Sequence, residues 1–351
     1  MKIGIVGCGK VAELHAATIT SSQPDSGLCF CDRNEHKAVD LANRFSAGSA
    51  VYTDFATMLN EERPDTVHVL TQIGSHVPLA IEALEGGAHV YVEKPVTQTV
   101  AEFDALLDVA RRADRHLFVG YSALGTPVVQ EARSLIASGS LGPLISAHCD
   151  YNWAVGGGGI PYGGGDHWAY SLRGGILQNL ADHPASLVLD VVDSVDDYSV
   201  TVLRREDLPQ SSPDLMHAVA SNSRQIVSFT MSFGHGNTHA QITYCLEGAT
   251  IEVDLRLHVI TVREGDGPQS LPQRLLANTK SAWDIGVGGG AYAIRRMAGR
   301  VPREPGVIAL IKNFYALIDN DAESLVPVST TRHVVGLLEE AWESIPVTQS
   351  E

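Results

Sequence analysis

The opening residues KIGIVGCGKVA set Gly7, Gly9 and Ala12 in the order G-x-G-x-x-A, directly after a strand-like run and at the start of a helical one. Those residue types at that spacing suit the pyrophosphate of a dinucleotide. Gly7 permits the tight turn, Gly9 lets the backbone approach the phosphates and Ala12 allows close helix packing. The first helical residues, Lys10 and Val11, bring unpaired N–H groups to the negative charge. The second strand ends at Asp32, about 20 residues beyond the fingerprint, where a carboxylate can accept hydrogen bonds from the adenosine ribose. This favours NAD. Arg33 follows directly and could pair with a 2′-phosphate, which keeps NADP open as the alternative. The ordinary reading is a plain βα turn with a surface acid; the matched strand and helix argue against it.

A second candidate is Lys94, in the run AHVYVEKPV, which puts Glu93, Lys94 and Pro95 at the carboxyl end of a strand. Open α/β sheets bind their ligands at that edge. An ammonium delivered there can donate to a substrate oxygen and stabilise a developing alkoxide, and partial burial would draw its pKa towards a working range. On physics alone an exposed loop lysine is the safer reading.

The elements that must position these groups are legible as a pattern. Short apolar runs over Lys2 to Val6, Gly27 to Asp32, Thr66 to Thr71, His89 to Val92 and His116 to Gly120 alternate with helical spacing over Val11 to Thr20, Glu35 to Phe45, His76 to Gly86 and Val100 to Ala113. Such βα repetition predicts a doubly wound Rossmann domain with a parallel sheet over residues 1–121. After it come a helix near Val128 to Ala137, a strand from Leu144 to Trp153 and a glycine-dense loop, GGGGIPYGGG. Period-two alternation from Tyr198 to Arg263 predicts a mostly antiparallel sheet in a second, α+β domain over 122–351. Two late amphipathic helices, Val307 to Asp319 and Thr331 to Trp342, are expected to cover one domain or the other.

The succession of GCGKVA, Asp32, a T-x-x-x-x-H stretch from Thr71 to His76, and Glu-Lys-Pro resembles the glucose-fructose oxidoreductase and inositol dehydrogenase family, Gfo/Idh/MocA. The resemblance implies a Rossmann domain followed by a large open sheet. It also implies that Thr71, His76, Glu93 and Lys94 line the cofactor site. A second family motif, G-G-x-L-x-D-x-G-x-H, is similar to GGILQNLADH from Gly174 to His183, and implies His183 as the acid/base for the reacting hydroxyl. Asn179 stands where the family has aspartate, and Ala181 where it has glycine. Asparagine still donates to and accepts from a hydroxyl, but holds no negative charge. On one helix Asn179 and His183 would share a face. A core histidine satisfied by a backbone carbonyl is the plainer alternative for His183. After the sixth strand, where the family often has an arginine, this chain reads Tyr121-Ser122-Ala123-Leu124-Gly125, which implies a differently shaped substrate pocket.

Aromatic and hydrogen-bonding residues gather around the glycine-dense loop: Trp153, Tyr162, Asp166, His167, Trp168 and Arg173. Aromatic faces cover the apolar side of a pyranose, and the polar groups suit hydroxyls or a nucleotide phosphate. The same residues would serve a packed sheet or an oligomer contact. The expected activity is hydride transfer between nicotinamide and a secondary hydroxyl or ketone of a sugar or nucleotide sugar. Two rivals remain: transient oxidation by an epimerase or lyase that recycles NAD, and a nucleotide-sensing regulatory protein without catalysis.

Composition narrows the partners. A formal net charge of −16 over 351 residues opposes binding to nucleic acid or an anionic membrane surface. The five cysteines, Cys8, Cys29, Cys31, Cys149 and Cys245, form no pair of CxxC motifs, so neither structural zinc nor a disulfide framework is expected. No secretion signal or spanning run is read, and the expected location is the cytoplasm. A homodimer or homotetramer through the second sheet is expected from its uncovered face and from the resemblance.

Overall fold

The computed structural model describes residues 1–153, 167–205, 208–234, 237–265 and 270–345. In chain order the first elements are β1 (Lys2–Val6), α1 (Lys10–Ser22), β2 (Gly27–Cys31), α2 (Glu35–Phe45), β3 (Ala50–Tyr52), α3 (Phe55–Glu62), β4 (Thr66–Val69), α4 (His76–Glu85), β5 (His89–Val92), α5 (Val100–Ala113) and β6 (Leu117–Val119). There follow α6 (Pro127–Ala137), β7 (Leu144–Trp153), α7 (Gly175–Leu180), α8 (Asp182–Leu189), β8 (Asp197–Leu203), β9 (Leu215–Ser221), β10 (Ile226–Phe233) and β11 (His239–Leu246). The last are β12 (Ala249–Asp254), β13 (Val259–Glu264), α9 (Leu271–Met297), α10 (Pro305–Ile318) and α11 (Val328–Glu343).

The chain divides into two compact units, Met1–Ser122 with Gly306–Val335, and Ala123–Pro305 with the chain from Gly336. In the first unit six parallel strands lie in the order β3-β2-β1-β4-β5-β6. Parallel strands are covered on both faces, so they read as unbroken apolar runs, and Ile3, Ile5, Val67, Val69, Val90 and Val92 are all fully buried. Helix α5 begins on a capping box between Thr99 and Glu102, and Arg111 and Arg112 in its last turn complement the helix dipole. Helix α10, from late in the chain, adds Phe314 and Tyr315 to an aromatic cluster with His68, Tyr91 and Phe118.

In the second unit seven strands lie in the order β13-β12-β11-β7-β10-β9-β8. The β7–β10 pair is parallel and the other pairs are antiparallel. Along β10, Val227, Phe229, Met231 and Phe233 are buried, while Ser228, Thr230 and Ser232 alternate with them on the wetter face. Helix α8 packs on β7 and β10, and α9 packs on β13.

Three features depart from the sequence expectations. The single helix expected from Gly174 to His183 is two, α7 and α8, meeting at Ala181 with ψ −18°. Pro184 has no N–H for the Leu180 carbonyl, so the ladder breaks there. The short pair β3 and α3 was not anticipated. Nor was α9, which runs 27 residues through the sequence GVGGG. The glycine-dense loop, with Tyr162 and Asp166, lies outside the described residues. Among the described residues, no helix is long and apolar enough to cross a membrane.

Candidate functional site

At the end of β1 the chain turns through Gly7, with φ +90°; a Cβ there would stand 2.8 Å from the backbone of Leu70. Glycine alone tolerates both conditions. The Gly7 N–H donates to the Cys31 carbonyl at 2.9 Å, which ties the turn to β2. Gly9 has the opposite character: it is exposed, and no heavy atom lies within 4 Å of the place its Cβ would take. It opens α1 without a side-chain cap, and Lys10 and Val11 follow it exposed. Open backbone at a helix N-terminus is a cradle for a pyrophosphate.

Beside the cradle, Asp32 follows β2. Its Oδ2 accepts from the Cys8 N–H and its Oδ1 from the Asn34 N–H, both at 2.8 Å. Each oxygen keeps a second lone pair for a ribose hydroxyl. Burial, reinforced by Asp32, pushes the Cys8 thiol up to about 12, so it stays neutral in the turn. Arg33 is exposed just beyond. Cradle and carboxylate together fit a dinucleotide: N–H groups for the phosphates, an anion for the ribose diol.

Glu93 and Lys94 leave β5 at the same carboxyl edge of the sheet, both half-buried, and the Lys94–Pro95 peptide is cis. His76, buried at the start of α4, places Nε2 2.9 Å from the Thr71 carbonyl and Nδ1 2.8 Å from the Pro95 carbonyl. The T-x-x-x-x-H stretch and the Glu-Lys-Pro tripeptide are thus one construction, a ring bridging the loops after β4 and β5. Burial holds the His76 pKa below its ordinary value, although both carbonyls favour the cation. Tyr121, 2% exposed, sits just past Gly120 at the end of β6.

Behind this edge lies a group that sequence reasoning missed. Fully buried His15 on α1 meets His68 of β4 at 2.9 Å, and His68 meets the Tyr315 hydroxyl at 2.7 Å. The signal was present in the sequence. His15 falls on the apolar face of α1 with Ala12, Ala16 and Ile19, and His68 interrupts the apolar run TVHVL.

In the second unit, buried Asn179 lies on α7 and half-buried His183 on α8. The His183 ring lies nearly parallel to Tyr151 of β7, with centroids 6.4 Å apart. The paired glycines of this segment serve packing. A Cβ on Gly174 would overlap the Trp342 ring; one on Gly175, at φ +56°, would overlap Ser212 Oγ, which accepts from the Ile176 N–H at 3.0 Å. Trp153 ends β7 and is 38% exposed. His167 accepts from the Ala169 N–H at 3.3 Å and its ring tilts against Trp168. The Arg173 guanidinium donates to the carbonyls of Glu343 and Ile345 at the end of α11, so it is engaged in a helix cap. Among the described residues, no group of His, Cys, Asp and Glu is arranged to hold a metal ion.

The doubly wound sheet, the glycine turn and the placed carboxylate define a nicotinamide-dinucleotide-binding domain. Residues 1–121 match the oxidoreductase family with an NAD-binding Rossmann fold designated GFO_IDH_MocA, and NAD is the cofactor of this domain. An oxidoreductase of Formosa agariphila is 30% identical over 145 residues, 41% of this chain and 45% of that protein. The dTDP-3,4-didehydro-2,6-dideoxy-alpha-D-glucose 3-reductase of Streptomyces violaceoruber is 28% identical over 200 residues, 54% of each chain. The matched segments thus span about half the length of these relatives. The WlbA dehydrogenase of Bordetella pertussis, solved with NADH and UDP-GlcNAcA, shares the fold with a TM-score of 0.78 at 19% identity, covering 100% of this chain and 98% of that one.

Proposed function

We propose that the protein is an NAD-dependent oxidoreductase that transfers a hydride between nicotinamide and a secondary hydroxyl or ketone of a sugar or nucleotide sugar. The observation that carries this reading is a single sheet edge that holds both the dinucleotide cradle of Gly7, Gly9 and Asp32 and the half-buried Lys94. The names of the relatives, a nucleotide-sugar reductase and a dehydrogenase solved with a nucleotide sugar, support the substrate class. The Asp32 carboxylate would repel a 2′-phosphate, which supports NAD over NADP.

NAD, when bound, supplies the hydride acceptor. In the proposed mechanism His183 takes the hydroxyl proton in the oxidising direction, and Lys94 donates to the oxygen as charge develops on it. Asn179 holds a neighbouring hydroxyl and so fixes the reacting carbon. Ketone reduction uses the same groups in reverse. Tyr121 in the first unit, and Trp153 and His167 in the second, are proposed as further substrate contacts.

The test is absorbance at about 340 nm, where reduced nicotinamide absorbs, on the purified chain with NAD and a panel of free and nucleotide-linked sugars. A substrate-dependent rise is expected. Lys94→Ala and His183→Ala should each lower turnover by about 100-fold or more with NAD affinity retained. Full turnover in both variants would remove these residues from the chemistry. An altered sugar without net absorbance change would instead indicate recycled hydride.

A homodimer or homotetramer is part of the proposal. It is supported by exposed apolar side chains on α9, among them Leu276, Trp283 and Ile294, and on the sheet by Ile226. Light scattering in solution would measure the assembly. We place the protein in the cytoplasm, where its five unpaired cysteines would stay reduced.

A further inference from the structure

The carboxyl edge of the first sheet has a buried backing that the proposed chemistry leaves unused. Nδ1 of His15 lies 2.9 Å from Nδ1 of His68, and Nε2 of His68 lies 2.7 Å from the Tyr315 hydroxyl. Tyr91 stacks on His68 and meets His15 edge-on, and Phe314 closes on His68 from α10. At the other end, Nε2 of His15 has no hydrogen-bond partner and faces Glu93 Oε1 from 3.4 Å.

Proton placement gives this row a direction. A contact between two Nδ1 atoms holds one proton, and burial keeps His68 neutral. If His15 carried its proton on Nδ1, its bare Nε2 lone pair would face an anion in a low-dielectric interior. For a neutral His15 ring facing the Glu93 oxygen, the proton therefore sits on Nε2. His68 then donates from Nδ1, and its bare Nε2 accepts from the Tyr315 O–H. Both hydrogen bonds then run in one direction, and the row ends with the His15 Nε2 N–H facing Glu93.

Glu93 itself lies in a fitted slot. A Cβ on Gly120 would fall 2.9 Å from Glu93 Oε1 and 2.9 Å from the Tyr91 hydroxyl, so the carboxylate uses room that glycine leaves at the end of β6. Its other oxygen, Oε2, accepts from the Lys94 N–H at 3.2 Å.

We propose that His15, oriented by His68 and Tyr315, is a positioning residue that holds the Glu93 carboxylate, and through it the Lys94 backbone, where NAD is bound. This rests on the reading of Glu93 and Lys94 as cofactor contacts.

The experiment is NADH binding by fluorescence titration of the whole chain. His15→Gln keeps an amide donor near the place of the ring Nε2, towards Glu93; His15→Asn keeps one near Nδ1, towards His68. The glutamine variant should bind NADH within about two-fold of the unaltered chain, and the asparagine variant about ten-fold more weakly. In a Glu93→Ala background the difference between them should vanish, because the group being positioned is gone. Equal binding by both variants, or a difference that persists without Glu93, overturns the proposal. If Glu93→Ala binds NADH as tightly as the unaltered chain, the cofactor reading of Glu93 fails first and the proposal with it. A purely structural role for His15 would not sort asparagine from glutamine according to the presence of Glu93.

Discussion

Two glycines two positions apart in a motif can be fixed by unrelated constraints, and Gly7 and Gly9 are. Gly7 is bound to the fold by its positive φ and by the Leu70 backbone; Gly9 faces open space. Gly7→Ala should therefore cost several kcal/mol of stability, since strain and overlap add. Gly9→Ala should cost under about 1 kcal/mol, the penalty of a poorer helix cap, yet fill the space kept for a phosphate. Thermal unfolding paired with an NADH titration separates the two, and a Gly9→Ala chain that binds NADH normally would deny the cradle its role. His68 gives a second prediction. Its folded pKa is held well below 6.5 by burial, then by His15, so below about pH 6.5 the unfolded chain takes up a proton that the folded one refuses. Stability from this group is complete above that pH and falls as pH drops, by up to about 1.4 kcal/mol per unit. Denaturant melts from about pH 7 to about pH 5 should show a shallower slope in His68→Phe. At this scale the glycine turn and the carboxylate after β2 were legible because a tight βα turn needs fixed residue types at fixed spacing. The histidine row was not, because its partners stand 53 and 247 positions apart in sequence.

Helix α9 shows why an element can escape its own sequence. The run GVGGG carries a glycine penalty near 1 kcal/mol per residue, which argues against a helix. Gly288 and Gly289 nonetheless lie against Val259, so a contact with β13 offsets part of that cost. Gly286 and Gly290 face open space. Replacing both with alanine should raise stability by about 1 to 2 kcal/mol in total, read as an increase in the thermal midpoint. No increase would mean that α9 does not unfold with the rest. The α7–α8 break has a local cause, Pro184, that was visible in the sequence but was outweighed by the spacing of Asn179 and His183. Elements with strong periodicity, such as α5 and β10, needed no such correction.

At the level of the molecule, the decisive fact is that the first unit is not contiguous in sequence. Amphipathic spacing marks a helix near α10, but periodicity carries no information about which sheet it covers. Phe314 and Tyr315 each bury an aromatic ring against His68, Tyr91 or Phe118, a contribution of about 1.5 to 3 kcal/mol apiece. A fragment of residues 1–122 should therefore unfold more easily than the same fragment joined by a flexible linker to residues 306–335. Near-UV circular dichroism and thermal melts would compare them, and identical midpoints would show that α10 is dispensable to the first sheet.

The same discontinuity has a consequence in time. The ribosome emits Phe118 roughly 200 residues before Phe314, an interval of about 10 to 40 seconds at ordinary elongation rates. Throughout that interval the nascent Rossmann sheet carries an apolar face whose covering helix has not been synthesised. A factor that shields such surfaces during translation would find its substrate in this window, and a pause in elongation between codons 122 and 305 would lengthen the exposure without altering one residue of the finished chain.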